Sequence, residues 1–305
     1  MKRNLFCLVL AVALAACQKA PNLEERAAQL CAYIPDHQLL EPSRDYMTPD
    51  FYAVLDTMFY RLPEHEALDH EWLYYFVTGN GGTIADYEVV KVEQTDSDHA
   101  MATIAVRQKW EDGTYAEEED ETEEHYLYME RVNGEWLMSD FDGHKADCIR
   151  YIENNRKEQA LRAAISAYLL REIAPDYRQG EICIPTLMMV HETDTTVYGD
   201  FWIFWYNCAG DTLKTVSGGN HSGCMTVSRQ GEAPVITAFE QTVDGAGNDA
   251  SARRIFGDYY DIYMNMHSNH SVREAVRREQ LRDYIHLHHL PVRFYQDFGW
   301  EPIEL

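Results

Sequence analysis

The sequence predicts an α+β protein of two tandem domains, each with helices packed on a curved antiparallel sheet. Three observations carry this. Apolar residues at helical spacing give way to period-two alternation twice, once near Tyr87 and again near Glu181. The dipeptides Asp112-Gly113 and Asn133-Gly134 separate the alternating runs of the first half, as hairpin turns do. The 305 residues exceed what one domain of common size needs, about 100–150. Helices come first and strands follow, which distinguishes α+β from a strictly alternating α/β sheet.

Leu23, Ala27, Leu30 and Cys31 place a helix over Leu23 to Ile34. Thr48-Pro49-Asp50 is a helix start, because Pro at an early helical position loses no needed amide and acids suit the first turn. Phe51, Leu55, Met58 and Phe59 continue that helix on one face. Glu64 to Gly82 is irregular and aromatic. Strands are then expected at Tyr87 to Val92, Ala100 to Trp110, Glu124 to Val132 and Glu135 to Phe141. Ala146 to Ile173 reads as one long helix or two abutting ones, ended by Pro175, which lacks the amide hydrogen of a helix interior. The polar stretch Glu153-Asn-Asn-Arg-Lys-Glu marks the domain boundary, giving domains 23–152 and 153–305.

In the second domain, strands are expected at Glu181 to Glu192, Val197 to Asn207, Cys224 to Val227 and Val235 to Thr242. Tyr198-Gly-Asp-Phe-Trp-Ile-Phe-Trp-Tyr is nearly continuous in apolar residues, so both of its faces are expected to be covered. Two helices follow, Asp249 to Met266 and Val272 to His288. Arg273, Arg277, Arg278 and Arg282 interleave with Glu274, Glu279 and Asp283, which reads as a solvated helix face. The aromatic tail from Arg293 to Pro302 is expected to pack on this domain.

The N-terminus carries an address. Lys2 and Arg3, the apolar run Leu5 to Ala13 and then Leu14-Ala15-Ala16-Cys17 describe a secretory signal. The run is shorter than the ~20 residues of a transmembrane helix. Leu-Ala-Ala-Cys resembles the lipobox of bacterial lipoproteins. The resemblance implies removal of residues 1–16, a diacylglyceryl and palmitoyl anchor on Cys17, a tether over 17–22, and residence at a membrane of the cell envelope. Gln18, in place of the Asp that favours inner-membrane retention in some bacteria, points to the outer membrane.

Two further resemblances concern the domains. The Tyr46-Met-Thr-Pro-Asp-Phe-Tyr helix, the strand Met101-Ala-Thr-Ile-Ala-Val and the ending Val132-Asn-Gly-Glu-Trp-Leu-Met-Ser-Asp resemble the nuclear transport factor 2-like superfamily, most closely its uncharacterised exported domains. The likeness covers Leu23 to Arg150 and implies a curved sheet wrapped around helices, with a cone-shaped cavity. The second half resembles uncharacterised C-terminal regions of exported bacterial proteins.

Charge narrows the partners. The chain carries a formal net charge of −25, with 30 acids against 10 bases from Gln18 to Arg150. Such a field repels phosphate backbones, and with no basic patch nucleic acid is not an expected partner. Of seven cysteines, Cys7 leaves with the signal and Cys17 carries lipid. Cys31, Cys148, Cys183, Cys208 and Cys224 remain, an odd number, so at least one thiol of a monomer stays unpaired. Candidate disulfides are Cys31 with Cys148 and Cys208 with Cys224; the alternative is five reduced, buried thiols. No CxxC spacing suggests a redox or zinc site.

No motif announces catalysis. The acidic run Glu117 to Glu124 lacks the glycine-supported turn of a calcium loop and reads as a solvated loop or edge strand. Asp244-Gly-Ala-Gly-Asn-Asp reads as a turn before a helix capped by Asn248 or Asp249. Ser217-Gly-Gly-Asn-His-Ser-Gly-Cys reads first as a glycine-rich hairpin loop. Its Asn220 and His221 are the candidate ligand contacts, with glycines allowing close approach. Neighbours His221 and Ser222 would point to opposite sides of a strand, a poor base and nucleophile pair. His286, His288 and His289 lack the i, i+4 spacing of helical metal ligands, so neither metal nor cofactor is expected. Asp56 and Tyr60 are the candidates for a first-domain cavity. The leading expectation is a non-catalytic, membrane-anchored binding module for a small ligand or an envelope protein. The alternative is a small-molecule isomerase or hydrolase acting in the cone of the first domain.

Overall fold

The computed structural model describes residues 22–36, 40–62, 83–109, 114, 123–231 and 233–305. Cys17, the signal and most of the acidic run lie outside these. The protein mixes helices with two curled, mainly antiparallel sheets, and it divides into two compact units, one ending at Glu153 and one running from Asn154 to Leu305.

The first unit begins with α1 (Leu23–Asp36), the short α2 (Leu40–Ser43) and α3 (Pro49–Asp56). Thr48 caps α3 by accepting a hydrogen bond from the Phe51 amide (3.4 Å), and Pro49 opens the helix as its spacing implied. A wide π-type turn over Thr57–Arg61 follows. The meander β1 (Thr83–Gln94), β2 (His99–Lys109), β3 (Glu123–Val132) and β4 (Glu135–Phe141) pairs in sequence order. Asn133 and Gly134 both adopt positive φ between β3 and β4, the backbone that an Asn-Gly hairpin turn needs. Alternation decides the faces. Ala102, Ile104, Leu127 and Met129 are buried, while Glu124, Tyr126 and Tyr128 between them are exposed. The buried set meets Phe51, Leu55, Met58 and Phe59 of the α3 region.

The division between units falls inside α4 (His144–Tyr168), a single helix that continues through a π-type turn, Leu169–Ile173, to Pro175. Cys148 and Ile152 belong to the first core, and Leu161, Ile165 and Leu169 to the second.

The second unit is built on β5 (Ile182–Glu192), β6 (Thr196–Ala209), β7 (Thr212–Ser228) and β8 (Val235–Gln241). β6 is central, between β5 and β7. One face, with Leu187, Val197, Phe201 and Ile203, packs on the C-terminal part of α4. The other lies under α5 (Asn248–Phe256), α6 (Tyr260–Ser268) and α7 (His270–Leu287), so both faces of β6 are covered as its apolar run implied.

Three expectations are corrected here, and the aromatic tail packs on the second unit as expected. Ser217 to Cys224 is no hairpin loop: it lies in the middle of the 17-residue β7, and the turn falls earlier, at Gly210. The expected helix Asp249 to Met266 is broken at Gly257, whose φ of 52° ends α5. Neither Asn248 nor Asp249 is the cap of α5; Gly247 holds that position. The tail adds β9 (Phe294–Gln296), parallel to β7, and β10 (Ile303–Glu304). It buries Tyr295 but leaves Phe298 and Trp300 70% and 75% exposed.

Candidate functional site

Alternation along β6 places Asp200, Trp202, Phe204 and Tyr206 on the face beneath α5–α7. Register brings Met188 of β5 opposite Asp200 and Thr186 opposite Trp202, while β7 sets Ser222 opposite Asp200 and Asn220 opposite Trp202. Trp202 and Phe204, two residues apart on one side of a strand, lie nearly parallel at 5.8 Å. Gly218 makes this possible, since a Cβ there would sit 2.8 Å from the Phe204 ring.

Above these rings is a cavity of about 200 Å³. Thr186, Met188, Trp202 and Phe204 form its floor. His270, Arg273, Glu274 and Arg277 from the first turns of α7 form its roof, and Asp297 closes one side. Arg273 holds its guanidinium 5.3 Å over the Trp202 ring, and Arg277 holds its own 3.8 Å over Phe204.

Two polar networks flank this cavity. In one, Arg277 donates to both Asp297 oxygens (2.7 and 2.8 Å), to the Tyr206 hydroxyl (3.1 Å) and to Thr215 Oγ1 (3.2 Å). Burial works against both charges, yet the pairing holds the Asp297 carboxyl below its usual range and keeps Arg277 charged. Glu274 accepts the Tyr295 hydroxyl.

In the other, Asp200 is fully buried and accepts three hydrogen bonds. Ser222 Oγ donates at 2.7 Å, His267 Nδ1 at 3.0 Å, and the Asn220 amide also donates. Tyr263 donates to Ser222 Oγ at 3.1 Å. Burial alone would raise the Asp200 carboxyl, but the His267, Ser222 and Asn220 donors outweigh it and keep the group below its ordinary range. Serine, histidine and aspartate are all present, but in the wrong order for nucleophilic attack. The aspartate sits between the other two, so His267 is not the base of Ser222, and Ser222 is only 1% exposed.

The sequence candidates separate. Asn220 joins the Asp200 network, whereas His221 turns to the opposite face. There its Nδ1–H donates to Gln241 Oε1 (2.7 Å), leaving Nε2 to accept from the Tyr177 hydroxyl (2.8 Å). Gly219 admits that hydroxyl, since a Cβ would stand 1.9 Å from it. The glycines of this stretch therefore allow close approach of the protein's own groups. In the first unit, Asp56 is paired with Arg61 (2.7 Å). The side chain of Tyr60 lies outside the described residues.

The cysteine pairings do not form: the five described cysteines are free thiols. Cys31 and Cys148 are both buried in the first core, unbonded. Cys224 faces Tyr198, ten residues along β6 from Cys208, which is about 33 Å at ~3.3 Å per residue and far beyond a disulfide's reach of roughly 7 Å. Among the described residues, no group of three or more His, Cys, Asp or Glu is placed to hold a metal ion. No described helix is long and apolar enough to cross a membrane.

The residues that sequence reasoning missed are Asp200, Trp202, Arg273 and Arg277. The four-arginine stretch reads as a solvated face, but Arg277 is 3% exposed. A signal was present: Arg273, Arg277, Leu281 and Tyr284 stand at i, i+4, i+8 and i+11, one stripe of a helix, and Leu281 belongs to the core. Compared with family models, with curated proteins and with solved structures, the chain matches none.

Proposed function

We propose that this chain is a lipid-anchored protein of the bacterial cell envelope whose second unit binds a small molecule without converting it. The observation that carries the reading is the cavity between the Trp202 and Phe204 rings and the first turns of α7. Ligand sites are concave and set polar groups beside apolar surface, and here Met188, Trp202 and Phe204 face Arg273, Glu274, Arg277 and Asp297. Its volume of about 200 Å³ is slightly above the ~150 Å³ that takes up a benzene-sized guest. The buried Ser222, held by Asp200 rather than by a base, supports binding over acyl transfer. Support for the anchor is the Leu14-Ala15-Ala16-Cys17 signal, with Gln18 favouring the outer membrane.

For the first unit we infer a nuclear transport factor 2-like domain. Among the described residues three α-helices precede a four-stranded antiparallel meander, and the Thr48 amide ties the start of α3 to the Met138 carbonyl of β4 (2.8 Å). The inner face of that sheet is occupied by Phe51, Leu55, Met58 and Phe59 among the described residues, which is why the ligand site is assigned to the second unit.

Two measurements test the reading. Cys17→Ser should move the protein from the membrane fraction to the soluble fraction, and unchanged fractionation would refute the anchor. Calorimetry with a panel of ring-sized compounds should find binders that Thr186→Phe, which fills the cavity from its floor, no longer takes. A panel without binders, or binding that survives in a folded Thr186→Phe variant, would refute the pocket.

A further inference from the structure

β5 is the last strand on its side of the second sheet, and among the described residues no strand pairs with its outer edge. Such an edge presents a row of unanswered N–H and C=O groups, a template for another chain. The run Ile182 to Val190 carries no charged side chain, so charge does not guard this strand even though the whole chain stands at −25. Three features close the edge instead. Gln280 of α7 answers both backbone groups of Leu187: its Oε1 accepts from the Leu187 N–H (2.8 Å) and its Nε2 donates to the Leu187 C=O (3.0 Å). Leu187 stands opposite Phe201, and with both groups turned to Gln280 this is a non-hydrogen-bonded pair of the antiparallel ladder. Alternation then turns the nitrogen of Pro185 to the same edge, where it has no hydrogen to donate. Beyond Leu187, a bulge between Met189 and His191 interrupts the ladder. Pro185 and the bulge belong to β5 itself. Gln280 comes from a helix 93 residues along the chain, so its part of the closure lasts only while α7 is seated.

We propose that Gln280 is a surrogate strand that keeps β5 from pairing with the β5 of a second copy of this chain. A side-chain amide carries a donor and an acceptor placed like those of a peptide, and it meets Leu187 as a neighbouring strand would. Without it, two β5 edges can meet antiparallel about a two-fold axis, each Leu187 taking the backbone groups of the other. The same helix roofs the cavity through Arg273 and Arg277, so seating α7 both covers that site and closes the edge. The closure does not depend on what the cavity binds.

The test compares the full-length protein with Gln280→Met and Gln280→Lys, all in one detergent, by sedimentation velocity and by hydrogen exchange at the Leu187 amide. Gln280→Met keeps the length of the side chain and makes neither hydrogen bond. It should self-associate at concentrations at least about tenfold below those the wild type needs, the worth of one or two hydrogen bonds regained between copies. Its Leu187 amide should exchange fast when dilute and slowly once associated. Gln280→Lys also breaks the two-point contact, but a charged Lys on an edge blocks pairing, and this variant should associate no more than the wild type. In the wild type the Leu187 amide should be protected at every concentration. A folded Gln280→Met that associates only as the wild type does would overturn the proposal. So would association that leaves its Leu187 amide fast, or Gln280→Lys associating as readily as Gln280→Met. Fast exchange at Leu187 in the dilute wild type would overturn it whether or not either variant folds.

Discussion

Arg277 and Asp297 form a two-pronged ion pair, Nη1 to Oδ2 at 2.7 Å and Nη2 to Oδ1 at 2.8 Å, and this pair joins α7 to the segment after β9. The arginine is almost wholly enclosed, between the Phe204 and Tyr295 rings at 3.8 and 4.6 Å from their centroids. A guanidinium in such a place needs its donors answered, and Tyr206 and Thr215 add two hydrogen bonds to the two made to Asp297. The same side chain forms part of the cavity roof, so the geometry of the pocket depends on the pair.

Removing the carboxylate should therefore cost far more than removing a surface charge. Asp297→Ala leaves the buried Arg277 with only Glu274, 3.9 Å away, as an ion-pair partner, and denaturant unfolding should show a loss of about 3 kcal/mol. A loss below ~1 kcal/mol, the worth of an exposed pair, would show that Arg277 finds water or another partner.

Acid should weaken the second unit through Asp200 and Asp297. Both carboxyls lie below their ordinary range in the folded protein. Each therefore contributes stability that is fully present above the unfolded value of about 3.9 and is lost as pH falls through the lower folded value. Thermal unfolding from pH 6 to pH 3 should show a falling midpoint, and Asp200→Asn should flatten part of that slope. A midpoint independent of pH in this window would contradict the bonding assigned to Asp200.

Gly219 should tolerate no side chain while Tyr177 is present. Gly219→Ala drives a methyl into the Tyr177 hydroxyl and separates it from His221, at a cost of about 1–3 kcal/mol. In a double-mutant cycle, the cost of Gly219→Ala should largely vanish once Tyr177 is Ala. Equal costs in both backgrounds would place the strain elsewhere.

Thiol chemistry should distinguish the five described cysteines. Burial pushes the Cys31, Cys148 and Cys183 thiols up to about 12, whereas Cys208 is exposed at the end of β6. Thiolates are the reactive form, so a maleimide at pH 7 should label Cys208 first in the native protein. Denaturation without reductant should release all five. A denatured count of three or one would mean that disulfides form.

The elements were legible where the local pattern and the tertiary environment agree. The Thr48-Pro49 start, the Asn133-Gly134 hairpin and the doubly covered run of β6 each follow from properties of a few adjacent residues. β7 was not legible, because its glycines look like a loop, and the reasons for them are across the sheet: Phe204 at Gly218, Tyr177 at Gly219 and the Glu240 backbone at Gly223. The site was hidden for a related reason. A buried Arg277 and an exposed arginine have the same local sequence, and only Asp297, twenty residues on, separates them. Asp200 likewise draws its donors from Ser222 and His267, which no spacing connects to it.

Binding of a small ligand in the cavity under α7 is reported most directly by the Trp202 indole, whose ring lines it. In a proton–nitrogen correlation spectrum, titrating the panel of ring-sized compounds should yield at least one that shifts that indole resonance and those of the Thr186 and Met188 amides at saturable concentrations. Changes should be confined to these groups and their neighbours on α7. A Trp202 signal that stays in place while others move, or no saturable change at all, would contradict binding there.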